Sequence, residues 1–166
     1  MEERTTMNIP VIALRGLTVF PDLTLSFDVE REISIYALDS AMEGDRTIFL
    51  VTQREIATTA PTEEDLYTVG TVCRILQILK TSETSVRVIV EGQQRARIHR
   101  LWQNKPFLQA NVELLEEDFP GRMTPRMEAL IRQTYVTFGE YKELVPNLTD
   151  DFVSAVLDCR DPGRLA

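Results

Sequence analysis

The hydrophobic pattern of residues 9–52 alternates between strand-like and helical periods. An almost unbroken apolar run predicts a buried strand at Ile9–Leu14, and strict alternation predicts a half-buried strand at Leu23–Val29. Over Arg31–Met42 the apolar residues recur at helical spacing and Gly44 follows as a C-terminal cap, so this segment is predicted to be one short helix. A compact apolar run predicts a further strand at Thr47–Thr52.

Three longer strands are predicted after an exposed acidic loop at Ala57–Asp65. They span Val69–Lys80, Val86–Leu101, which has a possible kink at Gly92, and Phe107–Leu115. Strands at this density, with one short helix inserted, predict a small closed or nearly closed β-barrel.

Helical signals replace the strand pattern after residue 118. Thr124 is a predicted N-cap with proline at the next position, and this helix is predicted to end at Pro146. Thr149 can cap a second helix. Asp161 and proline start a third, which reaches Ala166 before two turns can form, so we expect the chain to be a piece of a longer protein.

These patterns together predict an α+β chain with three parts. Residues 1–8 are predicted to be a flexible N-terminus, residues 9–118 a β-rich subdomain, and residues 119–166 a helical subdomain cut short at its C-terminus. The boundary is expected near residues 116–123, where the strand pattern ends in an acidic run.

Charge and composition exclude several classes of function. The 166-residue chain has a formal net charge of -8, which disfavours nucleic acid and anionic membranes as partners. It carries neither a secretory signal nor an apolar run of about 18 residues or more, so we expect a cytoplasmic protein that does not span a membrane. Two cysteines and one histidine make neither a disulfide framework nor a metal site.

The sequence offers no catalytic, cofactor-binding or metal-binding residues. A phosphate-binding loop needs a Gly-Lys pair and a hydrolase elbow needs Gly-x-Ser-x-Gly, and both are absent. A Ser-His-Asp triad would have to use His99, which follows two arginines on one strand face and is better interpreted as a surface residue. Cys73 lies within an apolar strand and is predicted to be an inert core thiol.

The remaining candidates are protein-binding residues. The turn after the first strand contains Val19, Phe20, Pro21 and Leu23, and exposed apolar patches often mark binding sites. The alternative is that Phe20 folds back onto the barrel as a plug. Leu79, near the hairpin at residues 79–86, is a second candidate.

A basic stripe on one strand allows two interpretations. Arg95, Arg97 and Arg100 could bind an anion or an acidic partner. The alternative is a solvated strand face whose arginines pair with nearby acids.

Five blocks of sequence resemble the N-terminal domain of the ATP-dependent protease Lon. In chain order they are Ile9–Pro21, Ile48–Arg54, Asp65–Thr71 together with Ile75–Lys80, Val86–Ile98 and Asp161–Ala166. The chain departs from the family pattern at Glu30 and at the hairpin turn Ser82–Ser85, where the family often has glycine.

The resemblance implies a PUA-like β-barrel followed by a helical subdomain, a truncated bundle. It also implies a longer parent protein that is an ATP-dependent serine endopeptidase with a Ser-Lys dyad. Such a parent uses ATP and Mg and forms homohexamers, while this segment holds none of the catalytic parts and is monomeric or weakly self-associating.

Three hypotheses follow for the function of this segment. The first is a non-catalytic substrate-recognition and assembly domain that binds unfolded or damaged polypeptides and serves the degradation of misfolded and regulatory proteins. The second is a stand-alone Lon-like adaptor without protease activity. The third, RNA binding by the PUA-like fold, is an analogy of fold that the charge of -8 argues against.

Overall fold

The computed structural model describes residues 5–116 and 122–165. The chain divides into two compact units, Met1–Glu116 and Glu117–Ala166. No helix in the described ranges is long and apolar enough to cross a membrane.

In the described part of the first unit, residues 5–116, the elements are a six-stranded sheet, one α-helix and one 3-10 turn. In chain order these are β1 (Thr6–Leu14), β2 (Thr24–Val29), α1 (Glu32–Glu43), β3 (Thr47–Thr52), the 3-10 turn Glu63–Asp65, β4 (Val69–Lys80), β5 (Val86–Gln103) and β6 (Leu108–Leu114).

The sheet returns on itself through its longest strand. Its order is β2-β5-β4-β3-β1-β6, and β6 also pairs with β5. The 18 residues of β5 allow this, because its first part, Val86–Glu91, pairs with β2 while Ala96–Gln103 pairs with β6. The β1–β3 pair is parallel, and the chain between these two strands contains β2 and α1.

Both faces of β1 are buried, which explains its continuous apolar sequence. Ile9, Val11 and Ala13 pack into one cluster with residues of β3, β4, β5 and β6, whereas Ile12 and Leu14 pack into a second cluster. The second cluster includes Ala37, Leu38 and Ala41 of α1 together with residues of β2, β3, β4 and β5. The predicted helix therefore covers one face of the sheet.

The predicted elements recur, with differences at their ends. Strand β1 begins at Thr6, three residues earlier than predicted, because Thr6–Asn8 pair with Asn111–Glu113. Residues 6–8 thus belong to the strand rather than to the flexible N-terminus that we predicted for residues 1–8. Strand β5 extends to Gln103, two residues beyond the prediction.

The second unit is helical and begins at the predicted cap. The Thr124 side chain accepts a hydrogen bond from the Met127 amide, and α2 spans Pro125–Leu144. Helix α3 (Asp150–Asp158) is capped by Thr149, and a short α4 spans Pro162–Leu165. Within this unit the Phe138 and Phe152 rings meet edge to face at 6.2 Å between centroids.

Candidate functional site

The loop between β1 and β2 is fastened to the sheet by hydroxyl groups. Thr71 of β4 donates to the Val19 carbonyl at 2.6 Å, and Thr52 of β3 donates to the Leu17 carbonyl at 2.7 Å. The Thr71 side chain is buried, so its bond to the loop is shielded from water. The conformation of this loop is therefore set by the sheet beneath it.

Gly92 of β5 makes a second attachment that only glycine permits. Its carbonyl accepts from the Asp22 amide at 2.9 Å, and its own amide donates to the Leu23 carbonyl at 2.9 Å. A Cβ atom at this position would lie 2.1 Å from the Phe20 carbonyl oxygen, far inside contact distance. The predicted kink at Gly92 is the place where β5 and the loop touch backbone to backbone.

The loop turns two apolar side chains outward and one inward. Asp22 adopts a φ of 61°, and the Leu23 amide donates to the Phe20 carbonyl at 3.3 Å, which closes a tight turn. Phe20 is 51% exposed and Leu23 is 41% exposed, whereas Val19 is 4% exposed. The alternative in which Phe20 folds back as a plug is therefore wrong. Val19 is the buried side chain of this turn, and its carbonyl accepts the Thr71 hydrogen bond that anchors the loop.

Pro21 is half-buried between these exposed residues. The structure thus brings together three of the five predicted residues as an accessible group: Phe20, Pro21 and Leu23. We call these three residues the loop surface.

Leu79 lies at a different place on the sheet. It is 42% exposed and pairs with Arg87, five residues along β5 from Gly92. At about 3.3 Å per residue these two positions on β5 are about 16 Å apart. The adjoining turn is closed by the Thr81 and Ser82 amides, which both donate to the Ser85 carbonyl at 3.1 Å. Leu79 is therefore separate from the loop surface.

Sequence reasoning missed an apolar residue of the segment after β3 that lies beside the start of the β1–β2 loop. Ile56 is 63% exposed, and its Cδ1 atom lies 3.4 Å from the position of a Cβ on Gly16, whose φ is 62°. An isoleucine between Glu55 and a polar loop was the available signal. Leu76 and Trp102 are also exposed, and Leu76 falls at a register shift of β4, which a period-two pattern cannot anticipate.

The residues considered for chemistry occupy unremarkable positions. Cys73 is buried, and burial raises the pKa of its thiol to about 12. This confirms its interpretation as a core residue. His99 is exposed, as are Arg97 and Arg100. Within the described residues, no group of three or more His, Cys, Asp or Glu side chains could hold a metal ion.

The fold gives the class of the protein. The chain superposes with a TM-score of 0.74 on a solved structure, the N-terminal domain of a Mycobacterium avium complex Lon protease, at 18% identity and with 96% of this chain and 79% of that one covered. At this identity the match concerns the fold, which is a mixed α+β fold with a six-stranded sheet and helices.

Sequence comparison gives the family. A model of the ATP-dependent protease La (LON) substrate-binding domain matches residues 8–166, and the chain belongs to this family. It is 39% identical over 159 residues to the Lon protease of Desulforamulus reducens, covering 96% of this chain and 19% of that protein. It is 36% identical over 166 residues to Lon protease 1 of Bacillus subtilis, covering 100% and 21%.

The chain spans about a fifth of the length of these curated relatives. The resemblance seen in the five sequence blocks is thus confirmed, and a substrate-binding domain of Lon is favoured over a stand-alone adaptor.

Proposed function

We propose that the loop surface binds exposed apolar segments of unfolded or damaged polypeptides. The observation that carries the proposal is that Phe20 and Leu23 are 51% and 41% exposed on a loop whose backbone is bonded to β3, β4 and β5. A loop whose backbone is already held loses little backbone freedom on binding, so the entropic cost is reduced to that of its side chains. Val19, which we had included among the contact residues, acts as the anchor of this surface.

Such a small surface binds weakly by itself. We expect dissociation constants between micromolar and millimolar, roughly -8 to -4 kcal/mol. Several copies held in one assembly would raise the effective affinity without a new contact. We therefore propose that the domain acts within a homohexamer, where six loop surfaces face the same client.

The wider proposal concerns the protein to which such a domain belongs. We infer a cytoplasmic ATP-dependent serine endopeptidase that degrades misfolded and regulatory proteins and takes ATP and Mg outside this segment. Membership of the Lon substrate-binding family supports this proposal. We further propose that the returning sheet of the first unit is a PUA-like barrel, since its strand ladder comes back to β5.

The test compares two leucines with matched exposure. Leu23 and Leu79 are 41% and 42% exposed, so a serine at either position removes the same amount of accessible apolar surface. The isotope-labelled protein is titrated with a small model protein in its native form and in a reduced, carbamidomethylated, unfolded form, and amide shifts are followed by NMR. We expect shifts at residues 19–23 with the unfolded form alone.

Leu23→Ser and Phe20→Ser should each raise the dissociation constant about tenfold, because each removes an apolar contact worth about 1.5–3 kcal/mol when fully buried. Leu79→Ser should leave it unchanged. Loss of binding in Leu79→Ser with normal binding in Leu23→Ser would move the site to the hairpin. Equal shifts with native and unfolded protein would overturn the proposal that exposed apolar segments are recognised.

A further inference from the structure

A second feature of the first unit is a cavity of about 240 Å³ between the end of β1, the second half of β2 and the start of α1. Its apolar walls include Leu14, Leu17 and Phe27, and its polar lining includes Arg15, Arg31 and Ser34. This volume is below the roughly 300–1,000 Å³ of pockets for drug-sized ligands, so the cavity suits a smaller group.

The two guanidinium groups are held by a chain of neutral acceptors. Arg31 donates through Nη1 to Gln53 Oε1 at 2.7 Å and through Nη2 to the Ala13 carbonyl. The Gln53 side chain in turn donates to the Thr58 carbonyl at 2.9 Å, and Arg15 Nη2 donates to the same carbonyl at 3.1 Å. Both arginines are thus positioned before any ligand arrives.

Within residues 5–116 and 122–165, neither arginine forms an ion pair with a carboxylate. Burial lowers the pKa of Arg31, and the positive charge of Arg15 lowers it further. A partly buried positive charge without a counter-ion is costly, and a second one nearby adds to the cost. In a chain with a net charge of -8, this cationic pair is an arrangement that an anion would stabilise.

The lining of the cavity restricts the kind of anion. Leu14, Leu17 and Phe27 offer apolar contacts, which a fully hydrated inorganic ion cannot use. The planar guanidinium fork matches a carboxylate, and Arg31 uses two of its five N–H donors within the protein.

We propose that this cavity binds a carboxylate attached to an apolar group, supplied by a polypeptide either as its C-terminal carboxylate or as an acidic side chain beside an apolar residue. The part of this proposal that names a polypeptide as the ligand rests on the proposed function. The part that gives the cavity an affinity for an apolar carboxylate is independent of it. The cavity and the loop surface are contributed by neighbouring parts of one loop, since Arg15 and Leu17 precede Phe20 in it.

Two acidic residues, Asp28 and Glu30, also line the cavity, and their charges affect the binding of an anion. Asp28 is engaged by Arg87, whose Nε lies 2.8 Å from its Oδ1, and this bond holds the pKa of Asp28 below its ordinary value. Glu30 also lines the cavity and is exposed. Its negative charge opposes an incoming carboxylate, so Glu30→Gln is expected to strengthen binding.

The test uses 3-phenylpropionate as the probe and its neutral amide, 3-phenylpropionamide, as the chemical control. Amide shifts of the full chain are followed by NMR during titration. We expect saturable shifts at residues 12–17 and 27–34 with the carboxylate, and none there with the amide.

Three charge variants test the contribution of Arg15, the opposing charge of Glu30 and a control arginine outside the cavity. Arg15→Gln should raise the dissociation constant about tenfold, because a hydrogen bond to a charged group is lost. Arg15 is exposed and donates a single hydrogen bond, so this variant should fold normally. Glu30→Gln should lower the constant about threefold. Arg74→Gln, which removes an exposed charge on β4 away from the cavity lining, should leave it unchanged.

Two peptides then distinguish the sources of the carboxylate. One ends in phenylalanine with a free C-terminal carboxylate, and the other has an amidated C-terminus and an internal Phe-Glu pair. We expect at least one of them to displace 3-phenylpropionate, and the stronger competitor identifies the source. Displacement by neither peptide would overturn the assignment to polypeptides.

Several other results would overturn the proposal itself. Equal binding of the amide would show an apolar cavity without anion selectivity, and equal loss in Arg15→Gln and Arg74→Gln would show a general charge effect. Inorganic phosphate producing the same shifts at lower concentration would exclude the carboxylate assignment. Phe20→Ser should leave the binding of 3-phenylpropionate unchanged. The experiments therefore distinguish a wrong cavity proposal from a wrong proposal for the loop surface.

Discussion

The two units of the chain use their apolar residues in opposite ways. In the first unit, apolar side chains from every strand and from α1 are buried on the two faces of the sheet. Among the described residues of the second unit, Val153 is the buried hydrophobic residue, while Leu130, Val136 and Leu144 are 59%, 57% and 80% exposed.

This contrast separates local from long-range determinants of structure. Helix α2 has a capping threonine, a proline at its first position and a helical apolar period, and these local signals suffice to define it. The strands of the first unit gain their stability from partners far away in sequence, as in the pairing of Thr6 with Glu113. We therefore expect the first unit to unfold cooperatively and the second to open more readily.

The largest expected difference concerns the two cysteines, one in each unit. Cys73 is buried and the pKa of its thiol is raised to about 12 from 9.0, whereas Cys159 is partly exposed. Because the thiolate is the reactive form, that shift alone lowers the reactive fraction of Cys73 about a thousandfold. Iodoacetamide at pH 8 should modify Cys159 rapidly and Cys73 at the rate at which the first unit opens.

Mass spectrometry of timed samples measures both rates. Cys159→Ser, as a control, should remove the fast phase alone. The stability of the first unit should be complete below about pH 9 and decline as pH rises towards 12, since the unfolded thiol releases its proton first. Equal modification rates for the two thiols in the native protein would break the contrast between the units.

The second prediction removes apolar side chains of opposite exposure. Phe49 is 0% exposed, and Phe49→Ala should lower the free energy of unfolding of the first unit by about 3–5 kcal/mol through loss of burial and creation of a cavity. Leu144→Ala in the second unit should change it by less than about 0.5 kcal/mol, since surface substitutions have small effects. Urea unfolding measures both, and similar losses would show that Leu144 is covered in solution.

Much of the fold was predictable because most helices and strands are specified by local sequence signals. The period-two alternation of Leu23–Val29 and the cap at Thr124 each specify an element without reference to the rest of the chain. The extra residues of β1 could not be predicted in this way. Thr6–Asn8 are held by pairing with β6, about a hundred residues further along the chain.

The sequence predicted which segment forms the candidate site, but not which of its side chains are exposed. Sequence reasoning located the loop, yet which side chain points inward depends on Gly92 and Thr71, which lie some 50 to 70 residues away. No period applies in an irregular turn, so Val19 and Phe20 could not be distinguished. The cavity with Arg15 and Arg31 escaped notice because Gln53 and Thr58, from another part of the sequence, position the two arginines.

A third prediction compares two glycines, one in each unit. Gly92→Ala would place a Cβ 2.1 Å from the Phe20 carbonyl oxygen, and the backbone must move to relieve it, so we expect a loss of about 1–3 kcal/mol. Gly139 lies within α2, and apart from its neighbours and the local helix backbone no described atom lies within 4 Å of an added Cβ, so Gly139→Ala should stabilise that helix by up to about 1 kcal/mol.

Thermal unfolding shows whether each substitution stabilises or destabilises the protein. Amide shifts at residues 19–23 should change in Gly92→Ala and not in Gly139→Ala. Unchanged loop shifts in Gly92→Ala would show that the close approach of β5 and the loop does not fix the loop surface.

The smallest effect tests whether α2 depends on its local signals. Thr124 accepts from the Met127 amide at 3.2 Å, and its carbonyl accepts from the Glu128 amide at 3.0 Å. Thr124→Ala should cost about 1 kcal/mol, because the first-turn amide loses its side-chain partner, while Thr124→Ser keeps the hydroxyl and should cost much less. Hydrogen exchange at the start of α2 should accelerate about fivefold in the alanine variant, and exchange in β3 and β4 should stay constant. If exchange in the strands accelerated as well, the two units would unfold together, and the contrast in burial would not correspond to a contrast in stability.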